Sequence, residues 1–580
     1  MNRNKKVSKK YLDGKANQEL KEEYSSIPNA RNKKFGDNYV GKRNDLSWYT
    51  VNEQVLKDVA RIPYAQPTGT PIFNDGTCAG ITIQKQGNYD LAVAGLVTME
   101  IMPTIGNAKE AMDPVNAAAN GQFTYLRSQV TGSIRFEQND VMIYNIVVDS
   151  VYYYVAWLYR LYSSLPMYHQ ASRYVPRTII EAQGVDYDDL LENAAKFRAE
   201  VNKRMPLIGN LKIPKALYIF PRHKWLFENY FIEGETEKAQ LYCYRPAGIY
   251  MYQLDSVTGA GMAKAHRILA GATGQGGRLT TADMIRKLDA MLNPIYDDEF
   301  FNLISGYMEK GYNDFITVDP LPDQPILPIV YSPDVLLQFK NAKTCTVKHS
   351  TIDSGYEDGF FDIKQVVNPG SNVRMHLETL TPTTALQIYR ELPVGTAIHV
   401  DSLSQQNIKD CYQGFLNEWS KYTLLTSPHA NVEPGENMIN TRLTLAMDLE
   451  YDTNELANVK INKLYFGSEW PLEIQVWSRF RDRSDMSIKS SSTTWNTVMV
   501  CDLTHTFMPQ MFTRRWPLLS KFKYLPELKI VTNDGNDTYM ALESIFEVDN
   551  YTNVDAQTIG LMHDAALLAE FRLPEIAMGK

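Results

Sequence analysis

The sequence predicts a helix-rich unit over residues 44–235 followed by a mixed, strand-containing unit over 337–550, and three observations carry that prediction. Between Asp140 and Pro166 an apolar stretch is interrupted by polar residues that recur at three- and four-residue spacing, the pattern of a long helix. Residues 340–550 instead show short β-like runs, with turn punctuation at Asn368-Pro369-Gly370 and Asn533-Asp534-Gly535. Charge is also segregated. Residues 1–43 hold twelve Lys/Arg against five Asp/Glu, a net +7, while the whole chain carries −8, so the remainder carries −15.

In chain order, residues 1–43 form an arm rich in Gly, Asn and Lys without a sustained apolar period, which predicts disorder when unbound. Asn52–Ala60 reads as a short amphipathic segment and Pro114–Tyr125 as an alanine-rich helix. Asp140 is a plausible N-cap for the long helix ending at Pro166. Its core, Val141–Leu165, is apolar enough to raise a membrane span. However, Asn145, Asp149, Tyr152, Ala156, Arg160 and Ser163 give one narrow polar stripe, the pattern of a mostly buried helix in a soluble protein. Pro176–Gln183 begins with proline and closes on Gly184. Asp186 then caps a helix whose core stripe is Leu190, Leu191, Ala194, Phe197 and Val201.

Residues 236–336 read as a mixed segment. Ala239–Tyr244 and Ile249–Leu254 are short strands joined across Arg245–Gly248, Gly259–Gly277 is a glycine-rich mobile loop, and Thr281–Leu292 is a helix stopped by Pro294. Five prolines over 313–336 suit an extended crossing. Strand candidates beyond it are Lys343–Lys348, Leu443–Asp448, Leu472–Phe480 and Leu528–Thr532. Residues 551–580 hold a closing helix, Ala556–Phe571, and a tail.

Composition bounds the function. A chain of 580 residues implies roughly three or four domain-sized units. Thirty-five Tyr, 22 Phe and 8 Trp supply a large core and rings for subunit contacts. Five scattered cysteines without a C-x-x-C pair indicate a reducing compartment, and no secretory signal opens the chain.

The motifs that carry chemistry are weak. Gly271–Arg278 lacks the Lys and Ser/Thr of a phosphate loop and reads as surface. Cys345 with His349 and Cys501 with His505 have ligand-like spacing, but nothing in the sequence brings the two pairs together. Asp186, Asp188 and Asp189 suit helix capping rather than calcium. Arg479, Arg481 and Arg483 share one face of an extended strand, read as a charged, solvated edge in preference to a phosphate contact. No serine-hydrolase or zincin motif is present, so no catalytic residue, metal, cofactor or small-molecule substrate is expected. The strongest electrostatic candidate is the arm. Arg3, Lys5, Lys6, Lys9, Lys10, Arg31, Lys33, Lys34, Lys42 and Arg43 would neutralise RNA phosphates without reading sequence.

Where the positive run stops, Arg43-Asn-Asp-Leu-Ser-Trp-Tyr-Thr50 and then Val59-Ala-Arg-Ile-Pro-Tyr-Ala-Gln-Pro-Thr-Gly69 resemble the segment after the basic arm in picobirnavirus capsid proteins. The resemblance continues through Tyr125-Leu-Arg127, Phe136-Glu-Gln-Asn-Asp-Val-Met-Ile-Tyr144, Tyr174-Val-Pro-Arg177 and Gly184-Val-Asp186, and returns at Leu561-Met-His-Asp564 and after Pro574. Order and spacing agree over roughly 43–230, whereas about 240–500 is not matched residue by residue.

The resemblance implies a viral capsid protein fold: a predominantly α-helical shell portion with an additional mixed α/β projecting portion, the latter assigned to 337–550. It also implies a homodimer that closes an icosahedral shell around a double-stranded RNA genome. Its place would be the virion, with assembly in the host cytoplasm and transient membrane contact as the virus enters a cell. In some relatives the arm is cleaved by the coat protein itself, but no protease constellation is legible in this sequence. An RNA-associated cytoplasmic enzyme and a non-viral RNA-binding scaffold are the competing readings.

Overall fold

The helix Gln138–Ser164 organises the molecule because no face of it is polar enough to meet water. The computed structural model describes residues 96–129, 134–166, 176–234, 241–326, 328–344, 361–367, 375–380, 422–427, 431–450, 460–482, 488–494, 498–502, 522–526, 528–533, 539–545 and 551–572, with short pieces at 52–54, 57, 71–72, 76–78, 81–83, 89–92 and 429. Within it, 24 of the 27 residues of this long helix are buried. Its apolar window lies wholly inside the protein, which removes the reason to read it as a membrane span. The cap differs from the sequence expectation. Glu137 is the N-cap and Asp140 sits three residues inside, accepting from the Glu137 N–H at 2.9 Å in a capping box.

A buried tyrosine hydroxyl calls for a partner. Tyr144, Tyr152, Tyr153 and Tyr154 donate to the carbonyls of Lys212, Leu211, Gly248 and Met284 at 3.2, 2.7, 2.8 and 3.0 Å. These acceptors lie on three neighbouring segments, so the hydroxyls fix the rotation of the helix within its surroundings. The polar stripe is likewise turned inward. Asn145 donates to Gln122 at 2.6 Å, and the guanidinium of Arg160 is spread over Gln183 Oε1 and the carbonyls of Asn229 and Tyr244.

Among the described residues, eight strands make the largest sheet, in the order Pro71–Ile72, Tyr89–Ala92, Glu469–Asp482, Leu96–Pro103, Leu241–Pro246, Tyr230–Ile232 and Ile329–Val330, with Ile488–Thr494 also paired to Glu469–Asp482. This sheet adds what the sequence reading lacked. The helix-rich N-terminal portion, with six helices between Pro114 and Glu228 among the described residues, also supplies strands. Leu96–Pro103 is buried at every residue except the half-buried Glu100, although Thr98 and Glu100 alternate with Val97, Met99 and Ile101. In addition, Glu469–Asp482, assigned by its late position to the projecting portion, is an inner strand here. Its residues 469–477 pair antiparallel with Leu96–Pro103 and its residues 475–481 with Ile488–Thr494. Arg481 pairs with both Asp90 and Ile488, so the arginine stripe does not lie on an edge.

The two strands expected to pair across Arg245–Gly248 exist but belong to different sheets. Leu241–Pro246 runs parallel to Leu96–Pro103, and Gly248–Leu254 joins Gly261–Arg267, Ile363–Val366 and His376–Thr379. Ala247 alone separates them. Its N–H donates to the Ile101 carbonyl at 2.8 Å and its carbonyl accepts from Ile268 at 2.9 Å, so no backbone group is lost at the switch.

The glycine-rich stretch is therefore part strand, and the loop after it is tied down. Gln275 N–H donates to Asp186, Thr273 N–H to Asp283 and Thr281 N–H to Asp189. The next helix runs Thr281–Asp297, through Pro294 rather than stopping before it. Gly184, at φ +77°, ends Pro176–Glu181 in a Schellman arrangement, with Val185 N–H reaching the Ile180 carbonyl. Asp186 then caps Tyr187–Glu192 as expected. Of the expected stripe, Leu190, Phe197 and Val201 are buried, and Leu191 is exposed because Asn193 breaks the helix before Ala194–Asn210.

Candidate functional site

The arm residues Arg3 to Arg43, the pair Cys345/His349 and the residues His505 and Arg483 lie outside the described residues. Among the described residues no cluster of three metal-ligating side chains occurs. The thiol of Cys243 is buried, and burial pushes it up to about 11, which makes it inert at neutral pH.

Instead, the structure assembles a buried ionic network from residues 149 to 570 that the sequence leaves scattered. Helix Ile219–Glu228 supplies Arg222 and His223, the long helix Asp149, and the start of the inner strand Ser468 and Glu469. The turn after helix Pro434–Asn440 supplies Arg442, and the C-terminal helix Ala556–Glu570 supplies His563 and Glu570. Glu469, fully buried, accepts from Arg222 Nε at 2.7 Å and from Ser468 Oγ at 2.7 Å. Arg442 Nη2 donates to Ser468 Oγ at 2.6 Å and pairs with Glu570 at 2.9 Å. Burial alone would raise the Glu469 carboxyl, but the charges of Arg222 and Arg442 outweigh it and hold it at about 2.

Asp149, His223 and Ser468 follow one another in space like a catalytic triad, and the geometry rules that role out. His223 Nδ1 meets Asp149 Oδ2 at 2.7 Å, but Nε2 meets the Ser468 carbonyl at 3.0 Å rather than its hydroxyl. The hydroxyl is already committed to Glu469 and Arg442. All three residues are buried, so a substrate carbonyl has no access. Because the Ser468 carbonyl only accepts, Nε2 must carry a proton, and a second proton lies between Nδ1 and Asp149. Burial pushes Asp149 up to about 6 against the pull of His223. Burial alone would lower His223, but the Asp149, Glu469 and Glu570 charges raise it.

The C-terminal helix closes this network through glycine contacts. A Cβ on Gly560 would meet Tyr465 Cδ1 at 2.1 Å, and one on Gly106, at φ +81°, would meet Leu567 at 2.5 Å. Gly560→Ala is expected to lower stability by about 1–3 kcal/mol through overpacking, despite a helix-propensity gain of about 1 kcal/mol. Gly209→Ala, with nothing within 4 Å, should be neutral or mildly stabilising. Urea midpoints at unchanged slope check both; equal shifts would mean that the Tyr465 ring yields freely.

Comparison with known proteins bears on what such a body is for. The family model described as Picobirnavirus, Capsid protein matches residues 48–375, more than half of the chain. The chain belongs to the picobirnavirus capsid protein family. A capsid protein precursor of Human picobirnavirus (strain Human/Thailand/Hy005102/-) is 25% identical to this capsid protein over 304 residues, 52% of this chain and 54% of that relative. The chain thus aligns with about half the length of that relative. In fold it is similar to the X-ray crystallographic structure of the picobirnavirus capsid, with a TM-score of 0.68 at 17% identity, covering 92% of this chain and 99% of the other.

Several pieces that carried the sequence resemblance hold structural positions in this capsid protein. Asp140 completes the capping box, Gly184 takes the left-handed turn, Asp186 caps, and His563 enters the buried network. None of the network's pairs sits at a helical or strand spacing, which is why sequence reasoning missed it. Of its members the sequence reading names Asp149, in the polar stripe, and His563, in the piece Leu561-Met-His-Asp564.

Proposed function

We propose that this chain is a coat protein that dimerises and closes an icosahedral shell around double-stranded RNA, with residues 1–43 as a non-specific RNA tether. The observation that carries the reading is the family match over 48–375. The +7 arm beside a −15 body supports the tether, since a run of cations offsets phosphate charge without reading sequence. The role is structural. A body knit by a buried ionic network and a sheet drawing strands from residues 71 to 494 suits repeated subunit contacts. The projecting portion would come from the parts of 337–550 outside that sheet. Assembly in the host cytoplasm, residence in the virion and transient membrane contact during penetration belong to the same reading.

The test is purification of recombinant full-length protein beside a variant in which Arg3, Lys5, Lys6, Lys9, Lys10, Arg31, Lys33, Lys34, Lys42 and Arg43 are all changed to Gln. Full-length protein is expected as closed particles carrying host RNA. The variant should keep its dimers and lose most of the RNA, read from absorbance ratio and negative-stain images. Unchanged RNA content would sink the arm assignment, and absence of closed particles from the full-length protein would sink the shell.

A further inference from the structure

A cavity of about 570 Å³ opens on the surface where helices Pro114–Gln129, Ile219–Glu228 and Glu299–Gly311 meet the end of the C-terminal helix. Its walls are aromatic and polar. Tyr218 and Tyr125 are 52% and 40% exposed, open for rings of this size, whereas nine other described tyrosines are buried. Tyr125 is locked rather than floppy, because its hydroxyl donates to the Gly311 carbonyl at 2.6 Å and its ring packs at 4.9 Å on Tyr312. Arg572 stands over Tyr218, with Cζ 5.9 Å from the ring centre, and its backbone is fixed at φ +47° by a bond to the Ala569 carbonyl. Lys215 is balanced by Asp314 at 2.9 Å, whereas Arg572 has no carboxylate partner among the described residues.

A held tyrosine ring and a second half-exposed one beside an uncompensated guanidinium suit one chemistry: a planar base attached to a phosphate. Aliphatic groups, which a protein partner would bury, are limited in the lining to Ala216 and Pro221. We propose that this cavity binds an unpaired nucleotide of single-stranded RNA, its base stacked on Tyr218 and Tyr125 and its phosphate at Arg572. This rests on the RNA-enclosing reading and adds a second contact that differs physically from the arm. Arm binding weakens steeply with salt, whereas stacking does not depend on counterion release.

Full-length dimers would be photocrosslinked to a short oligouridylate carrying 4-thiouridine at about 0.5 M salt, where phosphate contacts are suppressed. The expected adduct is on peptides containing Tyr218 or Tyr125. Tyr218→Ala should weaken oligonucleotide binding about tenfold at that salt, whereas Arg572→Gln should weaken it severalfold at low salt and little at about 0.5 M. Both sites are exposed, so folding should be unaffected and is checked by urea midpoint. The arm-neutralised variant should keep the cavity adduct. Adducts confined to residues 1–43 would overturn the cavity proposal while leaving the RNA tether intact, and absence of any adduct at low salt would remove both. A Tyr218→Ala protein that binds RNA normally but cannot close particles would reassign the cavity to a contact between copies.

Discussion

Replacing Glu469 with alanine is expected to cost about 3–5 kcal/mol of stability, the range for breaking one partner of a buried ion pair. The carboxylate is fully buried and faces Arg222 Nε at 2.7 Å, with Arg442 one hydroxyl away through Ser468. Two guanidiniums and two carboxylates, with Glu570 as the fourth member, make the cluster neutral. Alanine leaves two buried cations on one remaining anion and strips the Ser468 hydroxyl of its acceptor. The loss is not local, because the cluster joins helix Ile219–Glu228, the inner strand and the C-terminal helix. Glu469→Gln retains an acceptor for Arg222 and should cost less than alanine, which separates charge from hydrogen bonding. Urea unfolding of unassembled protein, at matched concentration, reads both. A cost below about 1 kcal/mol for alanine would show that the pair behaves like a solvated surface bridge.

What was legible in the sequence follows from how local each signal is. The long helix, the Asp186 cap and the Gly184 stop depend on neighbours within a few residues, and the sequence carries all three. The strand Leu96–Pro103 escaped because its alternation, Val97-Thr98-Met99-Glu100-Ile101, is only five residues long and lies beside a stretch read as helical. Glu469–Asp482 was readable as a strand, yet nothing local tells an inner strand from an edge, so its arginines suggested solvent. Pro294 misled because proline late in a helix removes only one hydrogen bond near an end that already lacks several. The ionic network is the least legible feature. Nothing in the sequence around Arg222, Arg442, Glu469 and Glu570 marks them as partners, and only the fold brings them within 4 Å.

His563 makes the acid sensitivity of this body testable. It is 2% exposed, and its Nε2 donates to the Thr444 carbonyl at 2.8 Å, so the proton sits on Nε2 and leaves Nδ1 bare. Burial, then the charge of Arg442, depresses its pKa from 6.5 to about 4. Above pH 6.5 the ring is neutral in both folded and unfolded chains. Between pH 6.5 and 4 the unfolded chain takes a proton that the folded one refuses, so stability falls as pH falls, by about 3 kcal/mol in total. The Asp149–His223 pair acts in the opposite sense. Its groups are raised in the folded state, so its contribution is present at low pH and is lost as pH rises through their titration. The two slopes oppose each other, and the wild-type profile alone would understate both. His563→Gln keeps an N–H for Thr444 and removes the titration. Urea midpoints at half-unit steps from pH 4 to 7.5 should show the variant losing about 3 kcal/mol less than wild type between 6.5 and 4. Parallel profiles would mean that His563 takes up its proton in the folded protein as readily as in the unfolded chain, with Arg442 too well neutralised by Glu570 to oppose it.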